Sequence, residues 1–148
     1  MLSEKFLSIA LFGIEPVLWL LVAMSFVAVS VIIERALVFH LAQKEYLSMD
    51  VYSLRLLLEK RLGILATFGN NAPFIGLFGT VLGVIQAFHI IGSKHSFDVG
   101  LIMQGVSEAL IATATGLFVA IPCVIAYNYF VKRLKIMLIK HEAHTHEL

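Results

Sequence analysis

Three stretches of the chain run far enough without a charge to cross a membrane as helices, and most of the polar positions fall between them. A hydrocarbon core about 30 Å thick takes about 20 helical residues. The first stretch, 16-PVLWLLVAMSFVAVSVII-33, opens on Pro16, which suits a first helical turn because its missing N–H would go unpaired there. Trp19 fits an anchor at the membrane interface. The second, 73-PFIGLFGTVLGVIQAFHIIG-92, follows Asn70-Asn71, residues of the N-cap type, so the pattern predicts a helix starting at the proline and ending at Gly92. The third begins near Ser96 or Asp98, because 98-DVGLIMQGVSE-108 holds no breaker stronger than isolated glycines, and it ends at 132-KRLK-135. The expected spans are about residues 16–35, 72–92 and 98–131, within one membrane domain covering 1–148. A shorter apolar piece, 6-FLSIALFGI-14, is interrupted by Glu15-Pro16, and no small-x-small cleavage signal follows it, so the first span is expected to stay uncleaved.

The segment between spans one and two, residues 36–71, has a pattern of its own. In 54-LRLLLEKRLGILATF-68, Leu54, Leu57, Leu58, Leu62, Leu65 and Phe68 recur at helical spacing, partly opposite Arg55, Glu59 and Lys60. This predicts one amphipathic helix packing on the inward extensions of spans one and three. A helix lying on the inner leaflet is the alternative.

Composition agrees with the pattern. The 148 residues are 59% hydrophobic with a mean hydropathy of +0.92, against roughly 45–50% apolar usage in soluble domains. The fold class implied is an all-α membrane protein: three transmembrane helices with cytoplasmic helical extensions. A net charge of +1 gives no electrostatic case for a nucleic-acid partner, whereas the distribution of charge is informative. Arg35, Lys44, Arg55, Lys60 and Arg61 lie between spans one and two, and Lys132, Arg133, Lys135 and Lys140 lie after span three. Only Lys5 and Lys94 lie on the other side. The positively charged side is cytoplasmic, which puts the N-terminus outside, residues 36–71 inside and the tail 132–148 inside. The single cysteine, Cys123, excludes an intrachain disulfide framework and reads as a small core residue.

One acid stands deep in a span. Spans two and three are joined by about five residues, so they form an antiparallel hairpin, and Glu108 comes ten residues after Asp98. At 1.5 Å per residue that is about 15 Å, the middle of the bilayer. A carboxylate facing lipid there costs at least about 2.5–3.5 kcal/mol, so Glu108 is expected to face protein or trapped water. Low dielectric favours the neutral form of an acid and brings proton exchange toward neutral pH, making Glu108 a candidate proton or ion site. A protonated acid that only bonds across a helix interface is the bland alternative. Thr80 should stand at the same height on the neighbouring helix. On a helix turning 100° per residue, Thr115 falls within about 20° of Glu108 and Thr113 about 140° away, so the hydroxyls cannot share one narrow stripe. Each of them could equally bond its own backbone.

Small residues form two strips at four-residue spacing: Gly79, Gly83 and Ala87 on span two, and Ala112, Gly116 and Ala120 on span three. Such strips allow close backbone approach, either within the hairpin or between copies. Pro122 removes a backbone hydrogen bond and marks a kink or hinge in span three. Gln86 and His89 fall in the outer half of span two. His141, His144 and His146 could hold a divalent metal weakly, but the zinc-protease spacing is absent and a solvated tail without metal is the expectation.

The blocks 72-APFIGLFGTVLGVIQAFHIIG-92 and 108-EALIATATGLFVAIPCVIAYNYF-130 resemble the signature of the ExbB and TolQ proton-channel subunits, more distantly related to the flagellar stator protein MotA. With the three-span layout the resemblance covers nearly the whole chain. It implies a bacterial inner-membrane subunit that assembles as a homo-pentameric ring, with spans two and three lining a pore. That pore would hold the single helices of ExbD or TolR, which work with TonB or TolA. Glu108, Thr80 and Thr113 match the family's polar pore positions. The short N-terminus and small cytoplasmic segment favour an ExbB that energises import of iron complexes over a TolQ-like subunit of envelope maintenance. The rivals are a structural scaffold without conduction and an intramembrane hydrolase. The latter lacks a catalytic pair, so neither enzyme activity nor a cofactor is expected.

Overall fold

The computed structural model describes residues 13–45, 49–94 and 98–146, all of them helical apart from short connections. Among the described residues four helices follow one another: α1 (Glu15–Glu45), α2 (Val51–Glu59), α3 (Leu62–Lys94) and α4 (Val99–His146). Three helical stretches among them are long and apolar enough to cross a membrane, contributed by α1, α3 and α4. The 48 residues of α4 extend about 72 Å at 1.5 Å per residue, so this helix projects well beyond a bilayer. The spans are apolar on most of their circumference, exposing Trp19 and Phe26 on α1, Phe74 and Phe88 on α3, and Phe118 and Ile125 on α4. An outer surface of that kind suits lipid or other membrane helices.

The α3–α4 hairpin is the tightest contact in the fold. Gly76 faces Gly116, Gly79 faces Ala112, Gly83 faces Ala109 and Ala87 faces Gly105. A Cβ added at Gly76 would lie 2.6 Å from the carbonyl oxygen of Ala112 and 3.1 Å from the Cα of Gly116; one added at Gly116 would lie 2.6 Å from the carbonyl of Ala72. Both strips of small residues therefore meet inside one hairpin, backbone against backbone. Helix α1 lies against the same pair, with Val17, Leu21 and Met24 packed among Ala72, Leu82, Val119 and Ala120.

At the charged end the packing changes character. Leu54 and Leu58 of α2 are fully buried between Val31 and Phe39 of α1 and Phe130 and Leu134 of α4, and the Phe39 and Phe130 rings stack 5.2 Å apart. Asp50 caps α2 by accepting from the Tyr52 N–H at 3.2 Å. Arg35, 2% exposed, donates to the carbonyl of Leu57 at 3.0 Å and pairs with Glu34 at 2.7 Å. The second oxygen of Glu34 accepts from Arg61. A buried guanidinium is tolerated only when paired and hydrogen-bonded in this way, and here it ties α1 to α2.

Three local expectations are corrected. The single amphipathic helix over 54–68 is two helices, because Arg61 adopts φ 63 and turns the chain between α2 and α3. That costs a non-glycine residue free energy, offset by the bond from Arg61 to Glu34. Pro73 does not open a helix: α3 starts at Leu62 and runs through it. Instead of capping, Asn71 turns its amide to the carbonyl of Thr67 at 2.8 Å, and Ala72, fully buried against α4, keeps that turn helical by packing. The tail is solvated only in part: α4 continues to His146, and of its histidines one is taken into the core. His141 is buried with its Nε2 2.7 Å from the carbonyl of Met49, since it shares a helix face with Leu134 and Met137 of the core. His144 is exposed, and the side chain of His146 lies outside the described residues.

Two outcomes follow. Gly76→Ala and Gly116→Ala should each lower the stability of the purified protein by about 1–3 kcal/mol, the usual cost of overpacking. Gly63→Ala, where an added Cβ meets nothing within 4 Å, should not; thermal unfolding in detergent compares the three. Arg35→Met should raise hydrogen exchange over 51–59 by roughly ten- to a hundredfold, as expected for losing a charged hydrogen bond of about 1.5–3 kcal/mol, and leave 72–92 unchanged.

Candidate functional site

The register of the small-residue seam decides where each polar side chain lands. Thr80 on α3 and Thr113 on α4 are half-buried in the seam and share a hydrogen bond between their hydroxyls. The Thr80 hydroxyl also lies 3.1 Å from the carbonyl of Ala109 and 3.3 Å from that of Gly76, and the Thr113 hydroxyl lies 3.4 Å from the same Gly76 carbonyl. Two hydroxyl protons thus have one another's oxygen and two carbonyls to serve, which closes the network on itself. Thr80 bonds the carbonyl of the residue next to Glu108, so the threonine pair and the acid stand at one depth.

Glu108 does not point into this seam. Its Oε1 accepts from the Gln104 amide one turn away at 3.1 Å, and its side chain is exposed on the subunit. It borders a half-open cleft of about 170 Å³ between α3 and α4, where Gln86 and Gln104 are the other polar residues. Thr115, on the same stripe as Glu108 by helical angle, donates to the carbonyl of Ile111 at 2.8 Å and so bonds its own backbone. The acid and Thr115 therefore form no continuous polar track within the subunit.

Of the remaining residues singled out in the sequence, Gly79, Gly83, Ala87, Ala112 and Gly116 all sit in the α3–α4 seam, and Ala120 lies buried where α1, α3 and α4 meet. Pro122 is exposed within an uninterrupted α4. His89 is exposed on α3. Gln104, Gly76 and Gly105 were not picked out beforehand. The spacing of Gln104 and Glu108, one helical turn apart, carried a signal. For the two glycines the signal was a small residue three before Gly79 and another seven before Ala112, with Ala109 between.

The segments that build this seam are also those that carry the sequence signature. A sequence model described as the MotA/TolQ/ExbB proton channel family matches residues 40–143. The chain belongs to that family. It is 46% identical over 123 residues to the biopolymer transport protein ExbB of Aquifex aeolicus (strain VF5), an alignment covering 83% of this chain and 82% of the relative. A putative ExbB-like protein 2 of Helicobacter pylori (strain 26695) is 38% identical, with 85% and 83% covered. The Tol-Pal system protein TolQ of Pseudomonas aeruginosa is 46% identical over 81 residues, with 55% of this chain and 35% of that protein covered. The seam, the threonine pair and Glu108 all fall inside the family match.

The geometry separates the three threonines by a measurement. Thr80→Val and Thr113→Val keep the branched shape and remove a shared hydroxyl, so each should destabilise the hairpin by about 0.5–1.5 kcal/mol. Thr115→Val removes only a bond to its own helix and should change stability by less than about 0.5 kcal/mol. Unfolding in detergent ranks them.

Proposed function

We propose that copies of this chain form a pentameric ring in the bacterial inner membrane and conduct protons past Glu108, as the channel subunit of an ExbB–ExbD–TonB type energy-transducing complex. The observation that carries this reading is the exposure of Glu108 on an isolated subunit, at a position that helical rise from Asp98 puts about 15 Å into the span. A carboxylate left facing acyl chains there would cost several kcal/mol, so another surface has to cover it or water has to reach it. A ring of subunits supplies both, with the exposed apolar faces of α3 and α4 as its contacts. The single helices of an ExbD-type partner would occupy the pore and share the proton path. The ring transmits their motion through TonB to outer-membrane receptors for iron complexes. A proton crossing 100 mV releases about 2.3 kcal/mol, so several are needed per mechanical step. Nine basic residues against two support a cytoplasmic C-terminus and a periplasmic N-terminus. An ExbB covered over 82% of its length supports the TonB-type reading, and a TolQ-like subunit working with TolR and TolA is the alternative.

Glu108→Gln keeps the side-chain shape and the bond to Gln104 while removing the exchangeable charge. The variant ring should assemble at wild-type size, and energy-dependent uptake should fall to the level of cells lacking the chain. Undiminished uptake refutes the role. Proton flux through complexes reconstituted with the partner, present in wild type and lost in the variant, separates conduction from a scaffold.

A further inference from the structure

The cleft beside Glu108 is half-open and differs at its two ends. Toward the inner half of the hairpin the seam closes, with Ala109 and Ala112 fully buried and the Thr80–Thr113 network satisfied within itself. Toward the α3–α4 connection the helices stay in contact at Gly83, Ala87 and Gly105, and the cleft runs beside that contact, bounded by Ile90 and Leu101. The pairing of Gly83 with Ala109 and of Ala87 with Gly105 sets Gln86 level with residue 106, between Gln104 and Glu108 in depth. Three polar side chains therefore line one cleft at successive depths, with Gln104 about 6 Å outward of Glu108 by helical rise. An amide in hydrocarbon is costly when its bonds are unmade; Gln104 donates one bond to Glu108 and, among the described residues, half-buried Gln86 makes none, so two amides beside one acid call for a reason. The cleft volume of about 170 Å³ has room for about five waters at roughly 30 Å³ each. The turn leading into α1 closes over Gln86: a Cβ on Gly13 would come 2.9 Å from the Gln86 Oε1, and Gly13 itself has φ +76, so this cover fits only because residue 13 is glycine.

We propose that Gln86 and Gln104 line a hydrated entrance through which protons from the outer face reach Glu108, each subunit carrying its own. The amides neither gain nor lose a proton. They hold water as donors and acceptors, and Gln104 also positions the carboxylate through its bond to Oε1. The proton then arrives at a Glu108 oxygen from a water in the cleft and leaves by way of whatever surface covers the acid in the assembly. This rests on the proton role and the orientation proposed above.

Two measurements on the assembled complex in vesicles test it. In a Cys123→Ser background, Gln104→Cys should react with a charged, membrane-impermeant thiol reagent from the outer side at least about tenfold faster than from the inner side. A rate equal from both sides, a faster rate from the inner side, or no reaction from either overturns the proposal. The double variant Gln86→Leu/Gln104→Leu should form rings of wild-type size and conduct protons roughly tenfold more slowly, the effect of about 1.4 kcal/mol of added barrier. Wild-type flux in that variant overturns the entrance while leaving the role of Glu108 standing, provided Glu108→Gln is silent in the same vesicles. Should Glu108→Gln conduct normally, the underlying reading falls and the entrance with it. If the double variant fails to assemble, the cysteine reaction decides.

Discussion

Helices α3 and α4 are held by fit, and the placement of every polar group in the membrane depends on that fit. Lipid tails are as apolar as leucine, so two apolar helices in a bilayer gain nothing from leaving their solvent. What remains is dispersion, about 0.1–0.2 kcal/mol per atom pair and steeply dependent on distance, and it becomes large only where backbones come together. Glycines and alanines at four successive levels allow that approach here. The same four pairings fix height and rotation at once. A slip of one residue would turn α4 by about 100°, carrying Thr113 out of the seam and Gln104 away from the cleft.

The charged end rests on different physics. There water surrounds the protein, and burying the two leucines of α2 contributes about 1.5–3 kcal/mol apiece that a seam in lipid cannot draw on. Helix α2 is amphipathic for that reason, while the spans are apolar nearly all round. Arg35 marks the junction of the two regimes: it is buried like a core residue, yet bonded to a carbonyl and a carboxylate as a charge must be. The left-handed Arg61 then lets one chain turn from the water-packed helix into the lipid-packed one.

Much of this was legible from the sequence, and the failures share a cause. Uninterrupted apolar length sufficed to find three spans, because the bilayer imposes length directly. Counting residues from the hairpin turn sufficed to bring Thr80 level with Glu108, because an antiparallel pair of helices has one depth scale. The strips were visible too, but whether they meet within the hairpin or between copies depends on rotation, which spacing alone leaves open. Pro73, Arg61 and His141 misled for one reason. Each was read by a local rule of capping, periodicity or polarity, and each was decided by a distant neighbour: α4 for Ala72 beside the proline, Glu34 for Arg61, Met49 for the histidine. Gln104 passed unnoticed since an amide toward the end of a span reads as interfacial until the register brings Gln86 alongside it.

The angular conflict between Thr113 and Glu108, about 140° apart on one helix, now has a chemical meaning. The polar groups of the hairpin face two directions and differ in how complete they are. The threonine hydroxyls have each other and the carbonyls of Gly76 and Ala109, so the seam has no hydrogen bond left to offer without coming apart. A carboxylate has about four acceptor sites, and among the described residues Gln104 fills one of those on Glu108. The unsatisfied capacity of the hairpin is thus concentrated on Glu108 and the two amides beside it, on the open face of an otherwise apolar surface. Since a group in that condition is expensive in hydrocarbon, its remaining partners come from water or from another chain, and Glu108 is the point at which a single subunit is chemically incomplete.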